Sequence, residues 1–354
     1  MPSLTLLLHK FRHLARRALA VVLPRLPAPL ARAVRAAAET LAYRLTPQIH
    51  SLPPIFHYWS NRYLLPQFQA LGFSSPEDFY LQRLREETAR RASPLRCLSL
   101  AAGRCEIEIG LVLTLRKAGI AVPHFTCIDF NASLLADARH AANAAGVAGH
   151  FEFVQHDVAQ LHADPAQRFD AVIANQCLHH FLELEHALDF IAASLTEDGA
   201  FLTCDVIGRN GHQLWPEALA EVQENWRTLP RHLRRDRTRG GHAAEYIDYN
   251  HADVGFEGIR AQDILPALLQ RFHFEFFSPW GGIILPFIER RFGWNYDPER
   301  SEDRAIIDSI AQRDAKLLTE GTVKPTQLVA SMRLHPAPLR SAFPHLPKDC
   351  VRVP

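Results

Sequence analysis

Five short apolar runs alternate with segments of helical periodicity between residues 95 and 207. The runs are Leu95–Ala101, Phe125–Asp129, Phe151–His156, Phe169–Ala174 and Ala200–Val206; helical segments at Glu106–Ala118, Ser133–Ala145 and Leu184–Leu195 lie between them. Strands that alternate with helices pair in parallel through crossovers, and a parallel sheet must be covered on both faces. The pattern predicts an α/β fold with a mostly parallel sheet, helices on both sides and right-handed connections.

The rest of the chain divides around this block. Residues 46–94 read as an aromatic-rich helical cap. Ser75-Pro76-Glu77-Asp78 supplies a hydroxyl cap, a proline at the first helical position and acids against the helix dipole. After Val206 the alternation stops. Residues 208–270 read as a polar insertion with a helix over Pro216–Leu229 and a basic loop from Arg231 to Gly241. Strand signals return at Phe272–Phe277 and Gln327–Leu334, with a helix over Glu302–Leu318 between them, so a core of 95–207 and 271–335 is expected. Residues 336–354 form a proline-rich irregular tail.

The net charge of +1 conceals an asymmetry, because residues 1–45 carry eight Lys or Arg against Glu39 alone. The leader is therefore basic and the body mildly acidic, which argues against a general nucleic-acid binder. Leu4, Leu8, Phe11, Ala15, Ala18 and Val22 form an apolar stripe beside Arg12 and Arg16. That stripe reads either as an interfacial helix on an anionic membrane or as a helix packed on the body. No run reaches the roughly 18 apolar residues of a membrane span. The six cysteines form no CxxC pair, so reduced buried thiols in a cytoplasmic protein are expected.

Ligands of an open parallel sheet bind beyond the carboxyl ends of the strands. The first run ends in Ala101-Ala102-Gly103, small residues before a helix N-terminus, suited to close approach of a ligand or to helix–strand packing. The second ends in Asp129, 26 positions after Gly103, where an acid can accept both ribose hydroxyls or cap the next helix; Asn131 or Ser133 could cap instead. The third ends in Asp157-Val158, able to meet the amine and face of a purine, or to be a solvated loop. The fourth ends in Asn175-Gln176-Cys177-Leu178-His179-His180-Phe181. Adjacent histidines rarely chelate one metal, so no metal is expected, and one of them is a candidate base near neutral pH.

These residues in this order resemble class I S-adenosylmethionine-dependent methyltransferases. The most specific stretch is Phe169–Phe181, similar to the family's FD-x-V…LHH segment. The resemblance covers about residues 95–207 and implies a Rossmann-like, seven-stranded sheet whose last two strands form an antiparallel closing pair. It implies that Ala101, Ala102 and Gly103 approach the amino-acid part of S-adenosylmethionine. Asp129 would hold the ribose, Asp157 and Val158 the adenine, and Asn175 and Gln176 the methionine side. The family's first-strand pattern D/E-x-G-x-G-x-G is altered: Ser99 stands for the acid, Ala101 for the first glycine and Cys105 for the third.

The implied reaction is in-line methyl transfer to a small-molecule, glycan or lipid acceptor, with a hydroxyl as the expected target and His180, His179 or Asp205 as the proton acceptor. The basic loop suggests an anionic acceptor. Two alternatives remain at this stage. A nicotinamide-dependent oxidoreductase lacks its three-glycine fingerprint here. A non-catalytic binding module would follow if the altered loop no longer admits the cofactor. The leader leaves open peripheral contact with the inner face of a membrane.

Overall fold

A computed structural model describes residues 51–354 apart from 255 and 256, and three isolated positions before them. The leader, with the membrane reading of residues 4–22, lies outside the described residues. Seven strands form one sheet in the order β3-β2-β1-β4-β5-β7-β6. They are β1 (Arg96–Leu100), β2 (His124–Asp129), β3 (Phe151–Gln155), β4 (Phe169–Asn175), β5 (Leu195–Val206), β6 (His273–Trp280) and β7 (Gln327–Arg333). The first five pair in parallel, and β7 runs antiparallel between β5 and β6. The expected α/β class and closing pair are thus present.

Among the described residues the helices, in chain order, are α1 (Pro54–Trp59), α2 (Leu65–Ala70), α3 (Pro76–Ala89), α4 (Glu106–Lys117), α5 (Ala132–Ala144), α6 (Leu184–Ser194), α7 (Pro216–Thr228), α8 (Ala261–Arg271), α9 (Leu285–Ile288) and α10 (Ser301–Glu320). Strand β1 shows why both faces need cover. Cys97 belongs to the core under α4, while Leu98 and Leu100 belong to the core under α6 and α8. All six cysteines are buried and free. The cap start read from sequence holds, since Ser75 accepts the Asp78 N–H at 3.1 Å. Among the described residues no helix is long and apolar enough to cross a membrane.

Two features depart from the expected layout. Helix α8 lies within the segment read as insertion, yet Ile264, Leu265 and Leu268 are buried in the core against the sheet. The core therefore resumes near Ala261, because the crossover into β6 needs a helix to cover that face. Between α1 and α2 the chain makes a π-turn over Ser60–Leu64. Tyr58 and Tyr63 sit five residues apart, the π repeat, and both hydroxyls donate to the Asp308 carboxylate of α10, at 2.9 and 2.8 Å. That shared acceptor ties the cap to the far helix.

Helix α3 is also locked to the antiparallel edge by buried charge. The Arg333 guanidinium of β7 pairs with Glu87 of α3 and with Glu275 of β6. Arg91 bridges Glu87 at 2.6 Å and Asp170 at 3.0 Å.

Candidate active site

Strand order reverses between β1 and β4, and their carboxyl ends Leu100 and Ala174 are in register. The loop leaving β1 keeps a glycine-type backbone without the glycines. Ala101, Gly103 and Cys105 have φ of 49°, 55° and 52°, the left-handed region at three alternate positions. A Cβ on Gly103 would meet nothing within 4 Å, so the loop faces open space there. Gly103 donates its N–H to Asp129 Oδ2 at 2.8 Å, and Asn131 donates to Oδ1 at 2.8 Å. Asp129 thus joins the first loop to the second strand end. Burial raises its pKa, against the pull of those two N–H groups. Helix α5 is capped by Asn131, which accepts from Ser133 and Leu134, so Asp129 is spared that task. Asp157 caps a 3-10 turn by accepting the Ala159 N–H at 3.0 Å, and Val158 is buried. This placement fits S-adenosylmethionine: Ala101, Ala102, Gly103, Asp129, Asp157 and Val158 all lie at the carboxyl ends of β1, β2 and β3.

The two non-glycine residues in left-handed backbone each cost about 1–2 kcal/mol of strain. Ala101 is only half-buried. Ala101→Gly is therefore expected to stabilise the chain by about 0.5–1 kcal/mol net of glycine's greater freedom in the unfolded state. The urea unfolding midpoint checks this: a midpoint at or below that of the parent chain counts against a strained loop.

Beyond β4 the chain takes a second left-handed step at Gln176 (φ 51°). Asn175 accepts a hydrogen bond from Tyr80 Oη of α3 at 2.9 Å, and Gln176 donates its N–H to Cys204 O at 2.8 Å. The two histidines then diverge. His179 is 4% exposed, whereas His180 is half-buried with its ring 4.0 Å from that of His179. His179 Nδ1 lies 2.6 Å from Asp205 Oδ1, at the end of β5. Asp205 is fully buried and also accepts the N–H groups of Cys177, Leu178 and Val206. Burial would raise Asp205, but His179 and these N–H groups bring its pKa below the usual carboxylate value.

The outward nitrogen, Nε2 of His179, faces the insertion. Glu257 Oε2 lies 3.7 Å from it and 3.3 Å from His212 Nε2. Two glycines make this approach possible. Gly211 donates its N–H to Gly258 O at 2.8 Å, and a Cβ on Gly258 would come within 3.0 Å of the His212 backbone nitrogen. Arg260 then anchors the segment to Glu185 Oε1 and Asp263 Oδ2, at 2.6 and 2.7 Å. The three ligand atoms of His179, His212 and Glu257 lie within 4.8 Å of one another, a spacing a divalent ion could span. Protons also satisfy it, since an imidazolium between two carboxylates is a balanced arrangement. Burial lowers the His179 pKa, but Asp205 and Glu257 outweigh it and raise it to about 10. Glu257, which burial would raise, is held well below the usual carboxylate range by His179 and His212.

Sequence reasoning found His179 and Asp205 but not Glu257, His212 or Tyr80, which carry no spacing signal. The basic loop turns inward more than expected. Arg234 donates to Ala244 O, Arg237 to Trp294 O and Asn295 Oδ1, and Arg239 stacks on Tyr249 at 3.2 Å. Those arginines hold the insertion together.

Residues 109–203 match the family model described as a methyltransferase domain. No curated protein sequence matches the chain. Among solved structures, the cyclase SpnF is 16% identical, with a TM-score of 0.38 over 74% of this chain and 81% of that one. An S-adenosylmethionine-dependent methyltransferase from Clostridium acetobutylicum ATCC 824 is 16% identical, with a TM-score of 0.30 over 38% of this chain and 54% of that one. The glycopeptide N-methyltransferase MtfA, complexed with sinefungin, is 21% identical, with a TM-score of 0.29 over 39% and 56%. The chain thus spans about half the length of the last two. Residues 109–203 therefore carry a methyltransferase domain, which favours S-adenosylmethionine-dependent methyl transfer over the two alternatives left by the sequence.

Proposed function

We propose that the enzyme methylates a hydroxyl oxygen of a small-molecule acceptor, and that His179 takes the hydroxyl proton. The observation that carries this reading is the buried Asp205–His179 pair at the ends of β5 and β4, with Nε2 of the imidazole turned outward. The bound cofactor supplies a methyl group on a positively charged sulfur. Ala101, Ala102, Gly103 and Asp129 would hold it from the β1 and β2 ends, Asp157 and Val158 from β3, and Asn175 and Gln176 from β4. Asp205 fixes the tilt of His179 through Nδ1, so Nε2 is the nitrogen that takes the hydroxyl proton once the imidazolium has given up its own. Glu257 and His212, from the insertion, border the place the hydroxyl must occupy. Alignment of the acceptor supplies much of the rate, and proton removal supplies the rest.

The test uses S-adenosylmethionine labelled with carbon-13 in the methyl group and fractionated cell extract. O-methyl and N-methyl carbons resonate at different chemical shifts. An O-methyl product is expected; a product labelled only on nitrogen or carbon overturns the hydroxyl reading.

A further inference from the structure

Ser99 stands on β1 where the related pattern has an acid, and it is 2% exposed. A carboxylate nevertheless occupies this place. Glu108, the third residue of α4, turns back under the loop, and Ser99 Oγ donates to its Oε1 at 2.6 Å. Glu108 is 3% exposed. Burial raises the Glu108 pKa, against the pull of the Ser99 hydroxyl and of its own backbone N–H, and that hydroxyl ties the carboxylate to the strand that leads into the Ala101–Gly103 loop. A glutamate in the first turn of a helix is supported by the N–H groups and the positive end of the dipole.

We infer that Glu108 replaces the missing strand acid and supplies the buried negative charge that favours the cationic methyl donor over its neutral product. Glu108 lies beneath the loop and is held by Ser99, so it acts through charge and not through contact with the ligand. For a carboxylate that does not touch the ligand, the ligand's net charge decides the interaction. S-adenosylmethionine carries a sulfonium, an ammonium and a carboxylate, for a net +1. S-adenosylhomocysteine has lost the sulfonium charge and is net neutral. A carboxylate buried in low dielectric therefore separates the two ligands, whereas a purely structural Ser99–Glu108 pair treats them alike. The inference concerns donor binding alone and does not rest on the acceptor or on His179.

The experiment is isothermal titration of both ligands, without acceptor, into three proteins: the parent chain, E108Q, and the swap S99D/E108Q. Glu108→Gln keeps the shape and the bond to Ser99 but removes the charge. The Kd for S-adenosylmethionine is expected to rise about tenfold, and that for S-adenosylhomocysteine by less than about threefold. The swap returns one carboxylate to the same buried pair from the strand side, and is expected to restore the parent ratio of the two Kd values to within about threefold. A Kd ratio in E108Q equal to that of the parent chain overturns the inference, as does an equal loss of both ligands. Should E108Q not fold, the swap decides alone: failure of folded S99D/E108Q to discriminate as the parent chain does overturns it equally.

Discussion

His179→Ala is expected to lower the methyl-transfer rate by about 10²–10⁴-fold, while the Kd for S-adenosylmethionine changes by less than about threefold. The imidazole is the group whose Nδ1 is fixed by Asp205 at 2.6 Å and whose Nε2 faces outward, so its removal takes away the proton acceptor and leaves the β1 and β2 ends intact. His180→Ala, which removes the half-buried neighbouring ring and leaves the Asp205–His179 pair in place, should cost less than about tenfold. The pH profile gives a second readout. With Asp205 on one side and Glu257 on the other outweighing burial, His179 keeps its proton up to about pH 10 in the free chain. Only the neutral imidazole can accept a proton, so the rate rises with pH across the neutral and alkaline range. Glu257→Gln removes one of the two carboxylates that stabilise the imidazolium. The His179 pKa then falls, and the rising limb of the profile moves to lower pH. Single-turnover rates of the three variants against pH test this. Unchanged turnover in His179→Ala with intact donor binding would sink the base assignment, and an unshifted profile in Glu257→Gln would remove Glu257 from the site.

The parts of this machinery that a sequence displays are those encoded by local periodicity. Each of the five apolar runs became a strand. Helices α4, α5 and α6 begin and end within about one residue of their expected bounds, and α3 and α5 start at the side-chain caps Ser75 and Asn131. Strand ends then locate Asp129, Asp157, Asn175 and the histidine pair. What periodicity cannot show is which distant side chains meet. His179 and Asp205 are 26 residues apart and pair because β4 and β5 are neighbours in register, with Asn175 opposite Cys204. Choosing between His179 and His180 needed the turn at Leu178–His180, which buries one ring and leaves the other half-buried. Glu108 reaches Ser99 only because the loop folds back on β1. Glu257 reaches His179 only because Gly211 and Gly258 allow two segments of the insertion to touch. The glycine pattern was the weakest guide, since Ala101 and Cys105 adopt the backbone that glycine would signal.

Glu87→Ala is expected to destabilise the chain by about 3–5 kcal/mol, the usual cost of leaving one partner of a buried ion pair unmatched. Glu87 is 2% exposed and lies in the last turns of α3. It is the common acceptor for Arg333 of β7, Arg91 at 2.6 Å and Arg90 at 3.2 Å. Without it Arg333 keeps Glu275 and the Asp198 carbonyl, at 3.0 and 2.7 Å, but one edge of its guanidinium faces the protein interior unpaired. Arg91 keeps Asp170, which in turn accepts the Arg96 N–H that opens β1. The loss therefore loosens α3 from both the antiparallel edge and the central strands. Tyr80 is carried on the same helix and holds Asn175, so donor affinity should fall along with stability. Glu87→Gln retains the shape and some hydrogen bonding, and should cost less than the alanine variant. Guanidinium unfolding of both variants, read by fluorescence and by far-ultraviolet circular dichroism, measures the effect. An alanine variant within about 1 kcal/mol of the parent chain would show that water enters the network and that the cap is held by its apolar contacts alone.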